Sequence, residues 1–350
     1  MSRFLHSDLS CLAPYVPGEQ PKDKQYVKLN TNESPYPPSP KAIAVASQEE
    51  VQDLRLYSDP ESSALKQAIA DYYGVKSENV LPTNGSDETL AFCFRAFCEK
   101  GVRFPDVTYG FYPVFCDLFG ITAKKMPLNA DFTVNTADYV GAGQTVVLAN
   151  PNAQTGIYLP ITEIEKIVQS NPSDIVIIDE AYIDFGGESA VQLTQKYDNL
   201  VVVQTFSKSR SLAGARVGFA IASKDLIDDL NRVKYSFHPY NVNRLSGKIA
   251  AAAISDRAYF EDCTAKIIAE RERLKTALAD MGFTYLPSLS NFVLAKKQGV
   301  SGEFLYQSLK DRGILIRHFK DARIADYIRI TVGTPAQTDA LLRALQEILV

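Results

Sequence analysis

The chain has 350 residues, 46% of them hydrophobic and 22% charged, with a formal net charge of −4 and a pI near 5.6. That length buries a sizeable core and points to one large domain with a smaller companion, and the mildly acidic balance excludes a basic nucleic-acid footprint or a polybasic membrane anchor. No run approaches the roughly 20 apolar residues of a membrane span, and the opening MSRFLHSDLSCLAPY lacks the apolar core of a secretory leader, so a cytoplasmic protein with small-molecule ligands is expected.

Residues 1–28 are expected to form an N-terminal arm. The stretch Asn30 to Pro40, NTNESPYPPSP, reads as an ordered loop, because proline fixes φ and removes backbone donors. Ser39-Pro40 then opens a helix, since proline is well tolerated in the first turn. Glu61 to Tyr73 has helical spacing and stops at Gly74, a suitable C-cap. Asp87 to Cys98 is a second helix. Three short apolar runs follow, Val146 to Ala149, Ile175 to Ile178 and Leu200 to Val203. They deliver Asn150-Pro151, Asp179-Glu180 and Ser207-Lys208 at or near their ends. Continuous β-branched runs between helices are buried parallel strands. The fold class is therefore α/β, a helix-covered and mostly parallel sheet whose strand carboxyl ends form the ligand edge. The alternation fades after about residue 235. Asn241 to Met281 reads as helix throughout. Strands at Asn291 to Lys296, Ile314 to Arg317 and Tyr327 to Val332 then mix with helices at Gly302 to Arg312 and Pro335 to Leu349. This gives a large domain over 29–240 and a smaller α+β domain over 241–350.

The five cysteines, Cys11, Cys93, Cys98, Cys116 and Cys263, form no C-x-x-C pair, and His6, His238 and His318 are scattered. No zinc spacing exists, so no protein metal site is expected.

The chemistry concentrates in Thr205-Phe206-Ser207-Lys208-Ser209-Arg210-Ser211-Leu212-Ala213-Gly214-Ala215-Arg216. A lysine follows a buried strand with hydroxyls on both sides and an arginine eight residues later. Such a lysine can form a Schiff base with a carbonyl, and the hydroxyls with Arg216 can hold a phosphate. Taken alone, a solvated Ser/Lys loop explains the pattern as well. Asp179 tips the balance. A carboxylate at a buried strand end is costly unless paired, and a protonated pyridine nitrogen is such a partner, as pyridoxal phosphate requires. Tyr182, three residues on, can reach the ring's phenolic oxygen. Thr83-Asn84-Gly85-Ser86-Asp87-Glu88 opens a helix whose free N–H groups suit a phosphate, although an ordinary cap accounts for it equally. Tyr109 can stack on a flat ring, and Asn150-Pro151-Asn152-Ala153-Gln154-Thr155-Gly156 can bring an amide to the ring oxygen; a core tyrosine and a plain turn are the simpler accounts.

Taken together these residues resemble the fold-type I, class II pyridoxal-phosphate aminotransferases, and within them the histidinol-phosphate aminotransferase subfamily. The resemblance runs along nearly the whole chain. It is carried by Leu29-Asn30-Thr31-Asn32-Glu33-Ser34-Pro35, Tyr57 with Ser58-Asp59-Pro60, Asn84 to Glu88, Asp179-Glu180-Ala181-Tyr182, Ser207-Lys208 with Leu212 to Arg216, and Tyr327-Ile328-Arg329-Ile330-Thr331-Val332-Gly333-Thr334. The resemblance implies that Lys208 carries the cofactor and moves a proton, Asp179 pairs with the pyridine nitrogen, and Tyr182 meets the ring oxygen. It implies that Tyr109 stacks on the ring, and that Gly85, Ser86, Asp87, Thr205, Ser207 and Arg216 surround the phosphate. It also implies a homodimer in which Tyr57 reaches the partner's phosphate site. Arg317 and Arg329 would grip the anionic end of a phosphorylated amino alcohol or amino acid, with a 2-oxo acid as acceptor, and Tyr15 and Asn32 would cover the substrate. One departure is plain. The family's usual Asn-Asn-Pro-Thr-Gly loop reads Asn152-Ala153-Gln154-Thr155-Gly156 here, without its second Asn and its Pro. Asn152 is the expected ring-oxygen contact. Competing expectations are a threonine-phosphate decarboxylase or a broad aromatic aminotransferase of the same fold, and a pyridoxal-phosphate-binding regulator without catalysis. A nicotinamide dehydrogenase is disfavoured because no G-x-G-x-x-G follows a strand.

Overall fold

A computed structural model describes residues 4, 5, 7–9 and 12–349. His6 and Cys11 fall outside the described residues, as does part of the expected arm. In chain order the strands are β1 (Val27–Lys28), β2 (Val80–Thr83), β3 (Val102–Pro105), β4 (Ala123–Met126), β5 (Thr145–Ala149), β6 (Val176–Asp179) and β7 (Leu200–Thr205). They continue with β8 (Gly218–Ala222), β9 (Phe283–Tyr285), β10 (Phe292–Lys297), β11 (Ile314–Leu315), β12 (Arg317–His318) and β13 (Ile328–Thr331).

Seven of these form one sheet in the order β2-β8-β7-β6-β5-β3-β4. Pairing is parallel from β4 through to β7, while β8 runs antiparallel to both β7 and β2. The central strands are buried on both faces because helices cover both. One face packs Val146, Ile178 and Val202 with Leu65, Ile164 and Ile167. The other packs Val147, Ile177 and Val201 with Leu90, Phe94 and Phe115. This two-sided burial explains why the strands read as unbroken apolar runs rather than alternating ones. β5 and β6 end in register, Ala149 beside Asp179, while β7 runs on from Val203, the partner of Asp179, to Thr205. The loops that follow therefore open on one shared edge.

The second sheet is antiparallel, in the order β12-β13-β10-β9. It packs against the long helix Arg257–Asp280 and the C-terminal helix Pro335–Leu349, with Leu274, Leu278, Val293, Ile330 and Leu341 in its core. The stretch expected to be helical throughout, 241–281, is two helices, Arg244–Ser255 and Arg257–Asp280, broken at Asp256. The first of them buries Ala250, Ala253 and Ile254 in the core of the large sheet. The first helix therefore packs with the large sheet and the second with the small one. The expected strand over 314–317 is likewise split in two, β11 pairing with β1 and β12 with β13.

The chain entering the large domain is fastened to the small sheet and to the turn that follows β7. The Leu29 N–H donates to the Leu315 carbonyl at 2.7 Å and the Thr331 N–H to the Leu29 carbonyl at 3.0 Å. Five residues later the Ser211 hydroxyl meets the Ser34 hydroxyl at 2.8 Å. No helix among the described residues is long and apolar enough to cross a membrane.

Gly218 marks where sheet and site interlock. A Cβ there would lie 2.5 Å from the Gly85 carbonyl carbon and 2.9 Å from Ser86 Cα, and would overlap the Ser86 nitrogen. Backbone cannot swing aside as a side chain can. Gly218→Ala is expected to cost about 1–3 kcal/mol through overpacking, read as a lowered thermal midpoint. Gly214→Ala, with nothing within 4 Å of its added carbon, should leave the midpoint unchanged.

Candidate active site

The cleft at the carboxyl edge of the large sheet is lined by the arm, the ends of β5 to β7, and the near face of the small sheet. Ser86, Asp87, Tyr109, Asp179, Tyr182, Thr205, Ser207, Lys208, Arg216, Arg317, Arg329, Tyr15 and Asn32 all line it. They come from points up to 314 residues apart in sequence, and the strand ends and the packed small domain bring them to one place.

At the floor, Asp179 ends β6 and is buried. Its Oδ2 accepts from the Tyr112 hydroxyl at 2.8 Å and its Oδ1 from the Ala181 N–H at 3.3 Å. Burial raises its pKa to about 6, against the pull of those two hydrogen bonds; Asp87 adds to the rise and the Lys208 charge opposes it. The helix that carries Tyr112 begins at that residue. No sequence signal marks it as a partner of Asp179.

Lys208 is half-buried, and its Nζ donates to the Thr31 carbonyl at 3.1 Å. The same nitrogen stands 5.8 Å from the centre of the Tyr182 ring. Among the described residues it has no carboxylate within ion-pair distance. An amine held by one backbone carbonyl is free to react.

At one end, Gly85 adopts φ +81° and turns the chain into the helix Ser86–Phe97, whose N-terminus has no side-chain cap. Uncapped N–H groups and the positive helix end favour an anion. Arg216 arches over this turn, since a Cβ on Gly85 would lie 2.6 Å from its Nη2. Its guanidinium donates to the Ser207 hydroxyl at 3.3 Å and reaches Asp87 at 3.4 Å. The Thr205 hydroxyl donates to Ser207 at 3.0 Å. Tyr109 is pinned by its hydroxyl to Asp87 at 2.7 Å.

At the other end, Arg317 and Arg329 are opposite partners on β12 and β13. Arg329 donates through Nη1 to the Ala153 carbonyl and the Gln154 side chain, at 3.0 and 3.1 Å, while its buried Nε has no partner. Arg317 donates to the Val16 and Pro17 carbonyls at 3.0 and 3.1 Å. Neither guanidinium has a carboxylate partner among the described residues. Two charges met only by neutral acceptors make an anion site. Tyr15 closes the mouth, its ring 4.9 Å from Phe111 and 6.2 Å from Tyr109.

These groups fit pyridoxal phosphate: a phosphate cradle, a reactive amine, a ring-sized gap beside Tyr109, and a buried acid for the ring nitrogen. One expected contact is placed elsewhere, and Tyr57 is expected in a partner's cleft rather than this one. Asn152 does not line the cleft. Its Nδ2 donates to the Val107 carbonyl at 2.9 Å, and its Oδ1 accepts from the Gln154 and Thr155 N–H groups, so its amide holds the loop and Ala153 faces the cleft instead. Tyr57 stands away from this cleft, 81% exposed and stacked on Tyr240 at 4.6 Å. Thr31, Tyr112, Gln154 and Phe319 were not anticipated, because each depends on a long-range contact rather than a local pattern.

A buried acid with a raised pKa has a cost in the cofactor-free protein. The folded form holds its proton up to about pH 6, whereas the unfolded form releases it near 3.8. Stability therefore falls as pH rises between those values, and the loss is complete above pH 6. Cofactor-free Asp179→Asn is expected to exceed the cofactor-free wild type at pH 8 by on the order of 2–3 kcal/mol, with the gap closing below pH 4. Urea unfolding at the two pH values checks this, and a pH-independent gap contradicts it.

The model of the family "Aminotransferase class I and II" matches residues 24–345. The chain is 49% identical to a histidinol-phosphate aminotransferase of Brachyspira hyodysenteriae, covering 100% of this chain and 99% of that protein. It is 50% identical to histidinol-phosphate aminotransferase 1 of Hydrogenovibrio crunogenus, again over 100% of this chain and 99% of the other. Among solved structures, histidinol-phosphate aminotransferase from Sinorhizobium meliloti in complex with pyridoxal-5′-phosphate superposes with a TM-score of 0.86 at 26% identity, over 93% of this chain and 92% of that one. With a family match across nearly its whole length and relatives of this similarity from end to end, the chain belongs to the class I and II aminotransferases.

Proposed function

We propose that this aminotransferase uses pyridoxal phosphate to transfer the amino group of histidinol phosphate to 2-oxoglutarate. The observation that carries the reading is a single cleft with an unpaired lysine amine at its centre, a buried acid at its floor, and two unpaired arginines at the far end. Two guanidiniums suit a dianionic phosphate or a carboxylate. The full-length similarity to proteins named histidinol-phosphate aminotransferase supports the phosphate.

The cofactor, held through Lys208, supplies an electron sink that makes the α-carbon proton of an amino donor acidic. The chain does the rest. Ser86, Thr205, Ser207 and Arg216 bind the cofactor phosphate, and Tyr109 covers the ring. The Asp179 carboxylate holds a proton on the ring nitrogen. Arg317 and Arg329 orient the donor by its anionic end. Lys208 Nζ, once free as an amine, would accept the proton from the donor's α-carbon and return it on the cofactor side. Tyr15 and Phe319 shield that transfer from water.

The same reading includes a cytoplasmic homodimer. Val51, Leu54, Tyr57, Phe237 and Tyr240 are exposed apolar side chains near one another in sequence or in contact, and burying them against a second copy would carry Tyr57 into the other site. Cys93, Cys98, Cys116 and Cys263 are free thiols, in keeping with a reducing compartment.

The test is a visible spectrum of the purified protein titrated with histidinol phosphate. A cofactor band that shifts on titration, with amino transfer to 2-oxoglutarate, supports the reading; release of CO2 assigns a decarboxylase instead. Lys208→Ala should lose the visible band's lysine linkage and turnover by orders of magnitude. Arg329→Ala removes charge-assisted hydrogen bonds worth about 1.5–3 kcal/mol, and kcat/KM for histidinol phosphate should fall roughly 10- to 150-fold, with a smaller effect on histidinol. Sedimentation should give twice the chain mass, and Tyr57→Ala should weaken cofactor retention without touching its own cleft.

A further inference from the structure

Asn32 stands in the arm segment that the family resemblance assigns to covering the substrate. It lines the cleft. It is 1% exposed, and four of its polar groups are engaged. Nδ2 donates to the Tyr182 hydroxyl oxygen at 3.0 Å, and Oδ1 accepts from the Thr331 hydroxyl at 3.0 Å. The Asn32 N–H donates to that same Thr331 oxygen at 3.0 Å, and the Asn32 carbonyl accepts from Asn291 at 2.9 Å. The residue adopts φ +55°, a left-handed conformation that asparagine tolerates better than most residues other than glycine.

A phenol has one proton and two lone pairs. With the Asn32 amide donating to one lone pair, the Tyr182 proton must point elsewhere. Among the described residues nothing else accepts it, and the ring faces the cleft beside Lys208. The sequence leaves no substitute nearby. The loop amide of Asn152 is consumed internally, and Ala153 stands where that loop meets the cleft. The direction of one phenolic proton therefore decides what the cofactor's ring oxygen receives.

We propose that Asn32 is a positioning residue that acts through Tyr182, turning the phenol so that its proton is donated to the ring oxygen of bound pyridoxal phosphate, with Thr331 setting the amide's orientation. This rests on the cofactor reading above. Thr331 lies two residues from Arg329 on β13, so the strand that presents the substrate arginine also holds the amide.

The consequence is measurable without turnover. The ring oxygen shares the proton of the nitrogen that links Lys208 to the cofactor. A hydrogen bond donated to that oxygen makes it a poorer acceptor and lowers the pH at which the linkage loses its proton. The experiment is a pH titration of the visible absorbance of the cofactor-loaded protein in wild type, Asn32→Gly, Tyr182→Phe and the double variant. Glycine removes the amide and tolerates the left-handed backbone. The midpoint should rise by about 0.5–1 unit in Asn32→Gly, and the double variant should shift no further than Tyr182→Phe alone. Thr331→Val, which keeps the shape and drops the hydroxyl, should shift in the same direction and decides the matter if Asn32→Gly does not fold. An unmoved midpoint in both, or additive shifts in the double variant, overturns the role of Asn32 alone. A wild-type protein with no visible band overturns the cofactor reading beneath it.

Discussion

The architecture turns on one buried charge. Asp179 lies at the end of a central strand, between two helix-covered faces, and among the described residues its carboxylate accepts from a tyrosine hydroxyl and one backbone N–H, with the Lys208 charge as a weaker help. A carboxylate so placed is unfavourable until a cation joins it. The same cleft holds the Lys208 amine, the uncapped helix end with Arg216, and the paired Arg317 and Arg329. The parallel sheet makes this possible because β5, β6 and β7 run the same way and finish within two residues of one another, so they deliver their next residues to one edge.

Much of this was legible in the sequence, for physical reasons. Strands buried on both faces must be apolar throughout, so β5, β6 and β7 stood out. The helix Ser63–Tyr73 ends at Gly74 with φ +67°, as its punctuation required. Other features have no local signature. The run Gly218–Ala222 looks like any buried strand, and nothing in its composition tells that it runs antiparallel. The break at Asp256 is a single residue within two helical patterns. Asn152 and its neighbours differ in role by one position, which only the loop's own hydrogen bonds resolve. Tyr112, Thr31 and Asn32 owe their importance to partners more than sixty residues away.

Behind the cleft lies a second buried acid. Glu180 accepts from Ser189, the Ala190 N–H and Gln204, and burial raises its pKa to about 7. Tyr73 completes the cluster through Gln204. The neighbours Asp179 and Glu180 thus point to opposite purposes on one strand end. The first is left under-satisfied and faces the cleft. The second is surrounded by donors and holds the loop over 180–190 against β7. Satisfying one acid with the protein's own donors keeps the other's geometry firm.

The double fastening of the incoming chain sets a limit on motion. Leu29 is bonded to the small sheet, and Ser34 touches Ser211 of the large domain. Between those anchors Thr31 is bonded to Lys208, and Asn32 to Tyr182, Thr331 and Asn291, so the segment is left with little slack. Whatever swing the small domain makes about the long helix, the stretch 29–34 acts as a check-strap. This strap also carries the carbonyl that holds Lys208 and the amide that meets Tyr182, so a shift between the domains would bear directly on those two side chains.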